Sequence, residues 1–213
     1  GAFDDSRQYK RGHDALDALS HHSFSRWWAR NTERAFIVGH TRHSTRGKHT
    51  KANAHPFTFG DVTGSHNGVV DAPDNYAVDS MALFDSLNEN RNDYQKALES
   101  IGGYWSIAWR YGGQLWLSVW RNTFAFALSD CGRWLYGSSD SNHLRAALSI
   151  DVDSVVECVD GDVFSFDGAE WFEYPRFESH AERKALVDWR NGRARGYPDL
   201  YYDDGADWTY DVK

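Results

Sequence analysis

An α+β domain, with antiparallel sheets packed face to face under helices as an αββα sandwich, is what this sequence predicts. Three observations point there. Apolar residues recur at spacings of three and four near the start and again after Asp79, as helices require. From Tyr104 onward the period falls to two, in runs short enough to be strands and separated by turn residues. The chain has 213 residues, 41% apolar and 15% aromatic, which is enough to fill one core without a disulfide or metal staple.

The elements follow in order. Leu16, Leu19, Phe24, Trp27 and Trp28 mark one or two amphipathic helical turns between residues 12 and 30. Ala35-Phe36-Ile37-Val38 reads as a short buried strand. The segment from His40 to Gly68 has little helical signal, and strands are expected at Pro56–Phe59 and Val62–Ser65. Asp79-Ser80 opens a helix carrying Met81, Leu83, Phe84 and Leu87, and a second helix runs from about Asp93 to Glu99. Trp105, Ile107 and Trp109 alternate along a strand, Gly112-Gly113 turns the chain, and Leu115, Leu117 and Val119 alternate again. Phe124–Leu128 and Trp134–Tyr136 pair about a turn at Asp130-Cys131-Gly132. Ser141–Leu148 is helical, and Val155–Val159, Val163–Phe166 and Trp171–Tyr174 complete the strands.

Charge and composition remove several functions. With 23 basic and 31 acidic residues the formal charge is −8, a poor match to nucleic acid or an anionic membrane surface. No apolar run approaches the roughly 18 residues of a membrane span. The start of the chain has no basic, leader-like stretch, and two cysteines, Cys131 and Cys158, fit a reducing compartment, so a cytoplasmic location is expected. No phosphate-binding or dinucleotide-binding glycine pattern is present, and no cofactor is expected.

Five of the ten histidines, His40, His43, His49, His55 and His66, fall within 27 residues. Loop zinc sites usually show tightly paired ligands and often cysteine, and neither cysteine is near, so no metal is expected here. The whole string is more telling: Gly39-His40-Thr41-Arg42-His43-Ser44-Thr45-Arg46-Gly47, then Asn53-Ala54-His55-Pro56-Phe57, then His66-Asn67-Gly68, then Asp79-Ser80. In that order it resembles class II glutamine amidotransferase domains, of the N-terminal nucleophile hydrolases, over about residues 11–175. Gly102-Gly103-Tyr104 to Trp109, Arg121-Asn122 and Gly137-Ser138-Ser139 look like the later sheet and helix-leading turn of that family.

The resemblance implies glutamine as ligand and a role for each matched position. A guanidinium fork at Arg42 suits the α-carboxylate, and Asp79 suits the α-ammonium. The Asn67 side-chain amide and the Gly68 N–H suit an oxyanion hole, and a residue without Cβ lets the backbone approach. Thr45 and His55 match positions that shape the family's glutamine pocket.

The family's nucleophile is an N-terminal Cys whose own α-amine acts as base, opening a short C-G-I-x-G strand. Here residue 1 is Gly, and Gly1-Ala2-Phe3 matches the end of that strand. Arg11-Gly12-His13-Asp14 keeps only half of the family's R-G-x-D-S-x-G, and Asp79-Ser80-Met81-Ala82 lacks the acidic fourth residue of its helix-opening pattern. The departures lead to the expectation of a degenerate member, a pseudoenzyme with a binding or structural role in a larger assembly. The alternative is an active glutaminase, making glutamate and ammonia for a separate synthase subunit, whose Cys lies ahead of Gly1. Stand-alone domains of this kind also occur in phage genomes, where a virion would be the expected location. The chain divides into an amidotransferase-like domain over 1–190 and an extension over 191–213. In the latter, Tyr197, Tyr201, Tyr202, Trp208 and Tyr210 are interleaved with aspartates, a composition that fits either an extension wrapped on the parent domain or a segment that docks a protein partner or a second copy.

Overall fold

The computed structural model describes residues 1–10, 15–30, 34–42, 47–48, 50–128, 135–148 and 155–175. The chain opens with strands β1 (Ala2–Asp4) and β2 (Gln8–Tyr9), helices α1 (Ala15–Ser20) and α2 (His22–Ala29), and strand β3 (Ile37–Gly39). A hairpin of β4 (Phe57–Phe59) and β5 (Val62–Val70) leads into helices α3 (Asp79–Glu89) and α4 (Tyr94–Glu99). Strands β6 (Gly103–Tyr111), β7 (Gln114–Trp120), β8 (Ala125–Leu128) and β9 (Leu135–Ser138) follow. Helix α5 (Ser141–Leu148) and strands β10 (Val155–Glu157), β11 (Val163–Phe166) and β12 (Trp171–Tyr174) complete the described elements.

Among the described residues every strand pairing is antiparallel, in a six-stranded sheet β12-β11-β7-β6-β5-β4 and two three-stranded sheets, β2-β1-β3 and β10-β8-β9. The large sheet is buried on both faces. One face carries Trp105, Ile107, Trp109 and Trp120 against Leu83, Phe84 and Leu87 of α3 and Ala97 and Leu98 of α4. The other carries Ala108, Leu115 and Leu117 against Phe3 of β1, Phe36, and Phe124 and Phe126 beside and within β8. Beyond the small sheets, Trp27 of α2 packs on Ala2 and Tyr9, and Leu144 of α5 packs on Ala125 and Ala127. The layers therefore run helix, sheet, sheet, helix, as the sequence predicts.

Most elements fall near where the periodicity puts them; β2 has no counterpart in the sequence pattern, β9 runs to Ser138, β10 stops at Glu157, and three further differences have a physical reason. The strand expected at Ala35–Val38 is β3, shifted towards Gly39, and Ile37 is 41% exposed. It is the edge of a three-stranded sheet, so only Phe36 of that run is buried. In α1 and α2, Leu16, Leu19 and Trp28 are exposed and Trp27 is the buried residue. Strand β5 continues past Ser65 through His66-Asn67-Gly68, because β6 supplies a continuous partner down to Gly103. The turn at 130–132, Cys131, Thr45 and the boundary at 190/191 with its extension all lie outside the described residues.

Asp4 ties the first small sheet to its helix layer. Its buried carboxylate accepts from Arg34 Nε at 2.8 Å and from the Ser6 and Arg7 N–H groups at 3.0 and 2.6 Å. Arg34 also donates to the Trp27 and Trp28 carbonyls at 2.9 and 2.6 Å and stacks near both indoles. Burial opposes ionisation of Asp4, but the Ser6 N–H and the Arg34 guanidinium outweigh it and hold its pKa below the ordinary value. Arg34→Ala strands a buried carboxylate and is expected to cost about 3–5 kcal/mol. Urea unfolding of this variant beside Asp4→Asn/Arg34→Ala checks it. The double variant should recover part of the loss, and equal losses would mean that the stranded charge is not the cause.

Candidate functional site

Strand β1 lies between β2 and β3, and residue 1, just ahead of it, pairs through its backbone with His40 at the exit of β3. The Gly1 nitrogen donates to the His40 carbonyl at 2.8 Å, and the His40 N–H donates back to Gly1 O at 2.8 Å. A Cβ built on Gly1 would collide with the His55 carbonyl oxygen and lie 2.7 Å from that of Tyr9. No side-chain-bearing residue fits there without moving backbone.

His40 begins a line of three imidazoles. Its Nδ1 is 2.8 Å from His55 Nδ1, with ring centroids 3.9 Å apart and planes at 80°. An Nδ1-to-Nδ1 hydrogen bond needs one nitrogen as donor and the other as acceptor, so the pair cannot be doubly protonated. His66 follows, its centroid 6.4 Å from that of His55 and its Nδ1 3.0 Å from Ser80 Oγ at the start of α3. The Nε2 atoms of His55 and His66 are buried with no hydrogen-bond partner among the described residues. Burial pushes His40 down from 6.5 to about 3. Burial also pushes His66 to about 4, against the opposing charge of Asp79, and holds His55 well below its ordinary value. All three are neutral at pH 7.

Around this line sit the residues singled out in the sequence. Arg42, half-buried, follows His40 by two positions at the exit of β3. Asp79 occupies the first turn of α3, where the helix dipole favours a carboxylate, and its Oδ2 accepts the Val70 N–H at 3.1 Å. Asn67 is exposed on β5, and Gly68 beside it has φ +135°. A Cβ on Gly68 would collide with the Tyr104 carbonyl oxygen, so only glycine serves there. His55 stands behind the site, its ring buried against His40, Phe57 and His66. These contacts link the start of β1 to the exit of β3, and β5 to the start of α3, and the segments so joined carry a cation, a carboxylate and an amide pair. Such a set suits a small zwitterion with an amide to hold.

Two contacts were not apparent in the sequence, although its motifs include the residues that make them. The pairing of His40 with His55 spans 15 residues of irregular chain, and Asn122, which donates from Nδ2 to the Asn67 carbonyl at 2.9 Å, reaches across 55. Among the described residues no group of three or more His, Cys, Asp or Glu is placed to hold a metal. Nor is any described helix long and apolar enough to cross a membrane. Burial, then Asp162, pushes the half-buried Cys158 thiol up to about 12, which leaves it a protonated, poor nucleophile.

No protein-family model matches the chain, and no curated protein matches it in sequence. Solved structures do match in fold. A glutamine aminotransferase class-II domain protein from Silicibacter pomeroyi superposes with a TM-score of 0.57 at 17% identity, over 83% of this chain and 89% of that one. Glutamine phosphoribosylpyrophosphate amidotransferase from B. subtilis, complexed with ADP and GMP, superposes with a TM-score of 0.53 at 11% identity. That match covers 67% of this chain and 35% of the other. The αββα sandwich described here is therefore the fold of class II glutamine amidotransferase domains.

Proposed function

We propose that this fold is used to hydrolyse the side-chain amide of glutamine, with a cysteine directly ahead of Gly1 as nucleophile. The observation that carries the reading is the lack of room at residue 1, where a Cβ would run into the His55 carbonyl. Residue 1 is then the small residue of the opening strand, and the side chain that attacks belongs to its predecessor.

The chemistry runs through named groups. Arg42 holds the α-carboxylate of glutamine and Asp79 its α-ammonium. The thiolate, its proton taken by the cysteine's own α-amine, attacks the amide carbon. Charge that develops on the carbonyl oxygen is taken by Asn67 Nδ2 and the Gly68 N–H. Collapse expels ammonia with the amine-held proton and leaves a thioester, which water cleaves to glutamate. The neutral imidazoles keep the floor of the site free of competing positive charge that would repel the α-ammonium. The ammonia would pass to a separate acceptor subunit.

An intact mass and N-terminal sequence of the protein from its natural source, followed by a glutamate-release assay, tests this. A cysteine ahead of Gly1 with glutamate released is the expected result; a natural N-terminus without that cysteine sinks the reading. Arg42→Ala removes a charge-assisted contact present in ground and transition states alike. Its KM for glutamine should rise about 100-fold, with kcat changed only a few-fold. Steady-state kinetics checks it, and a fall in kcat at constant KM would place Arg42 elsewhere.

A further inference from the structure

The geometry points to Asn122 as a positioning residue that aims the Gly68 N–H by gripping the other end of its peptide; this rests on the glutaminase reading. The Asn67 carbonyl and the Gly68 N–H belong to one peptide unit. That unit is trans and planar, the cis bond among the described residues being His55–Pro56, so fixing its C=O fixes the direction of its N–H. Asn122 Nδ2 donates to that carbonyl at 2.9 Å. A carbonyl that accepts a hydrogen bond also makes the N–H across the peptide a stronger donor.

The grip is itself anchored on four sides. Asn122 Oδ1 accepts the Thr123 N–H at 2.8 Å, which sets the side-chain amide with its NH2 towards Asn67. Thr123 O accepts Ser106 Oγ at 2.6 Å, and Ser106 is the residue directly opposite Asn67 in the β5–β6 ladder. Thr123 Oγ1 donates to Ser139 O at 2.5 Å. Arg121, at φ +47°, donates its N–H to Asp160 Oδ1 at 2.7 Å, so the turn before Asn122 is held in a conformation that side-chain-bearing residues seldom adopt. Gly68 contributes the remaining freedom, its φ of +135° turning the peptide as no other residue could.

Asn122→Asp separates this role from simple turn formation. The aspartate keeps an oxygen for the Thr123 N–H but has no donor for Asn67 and sets a carboxylate against its carbonyl. In the chain carrying a cysteine ahead of Gly1, kcat for glutamine hydrolysis should fall about 100-fold, the scale of losing one oxyanion donor, with KM within about twofold. Asn122→Ala provides a second variant with the same expected split. An unchanged kcat, or kcat and KM worsening together with a lowered Tm, overturns the assignment. If the unsubstituted chain releases no glutamate, the glutaminase reading fails, and the Gly68 amide resonance in ¹⁵N-labelled Asn122→Asp decides the rest. Displacement of that resonance supports the grip on the peptide, and an unmoved one overturns it.

Discussion

Acidification from pH 6.5 to pH 5 should unfold this domain's stability faster than that of a protein without buried histidines, by about 1.4 kcal/mol per pH unit for each histidine kept neutral in the fold. His40, His55 and His66 all have folded-state pKa values below 6.5, His40 at about 3 and His66 at about 4. The sign follows from proton counts. Between those values and 6.5 the unfolded chain binds protons that the folded chain does not, so stability is complete above pH 6.5 and is lost on the way down. His40 and His66 together amount to about 3 kcal/mol between pH 6.5 and pH 5, a sizeable share of the ~5–15 kcal/mol that holds a domain together, and His55 acts in the same direction. The Nδ1-to-Nδ1 bond between His40 and His55 adds a geometric reason, because a second proton on that pair removes its acceptor. Urea midpoints at successive pH values measure the slope, and His66→Gln should reduce it by about one proton. A flat profile, or the same slope in the variant, would mean that these imidazoles titrate normally.

Where one element repeats a period against one neighbour, the sequence was enough to find it. α3 begins at the expected Asp79, α5 matches its predicted span, and β11 and β12 coincide with their apolar runs. The Gly112-Gly113 turn sits where two alternating runs meet, at positive φ in both residues. What a local pattern does not carry is the identity of the partner. β3 has an apolar run yet lies at a sheet edge, and β5 has a polar end yet is a strand, because β6 pairs with it there. The same holds at the site. Arg42, Asn67, Gly68 and Asp79 stand out because their chemistry is visible residue by residue in one ordered motif. The contacts of His40 and Asn122 reach across 15 and 55 residues, and His55, matched in the sequence to a pocket-shaping position, is buried with its ring against His40, Phe57 and His66. A histidine-rich stretch is read as ligands or solvated polars until the fold stacks its rings. Here the stacking, with burial, turns three basic groups into neutral ones.

Placing cysteine at residue 1 and placing it ahead of residue 1 should give opposite results. Gly1→Cys puts a Cβ into the His55 carbonyl, and the strand must shift or the contact must be relieved by moving the 53–56 turn. Such overpacking costs about 1–3 kcal/mol and pulls β1 away from His40, whose two backbone hydrogen bonds register that strand. A thiol introduced there is therefore both strained and misplaced. A cysteine added before Gly1, exposed as the free N-terminus after removal of the initiator methionine, leaves the Gly1–His40 pairing intact and brings its α-amine with it. Loss of a nucleophile in a hydrolase of this mechanistic type costs about 10⁶-fold in kcat, so the gap between the two chains should be on the order of 10⁴-fold or more in glutamate released. Equal activity in both would show that residue 1 has room and that the slot argument is mistaken. Activity in neither, with glutamine still bound through Arg42, would move the domain to the inactive reading, a pocket that holds glutamine without cutting it. The substitution also separates stability from chemistry, since Gly1→Cys should lower the urea midpoint while the added residue should not.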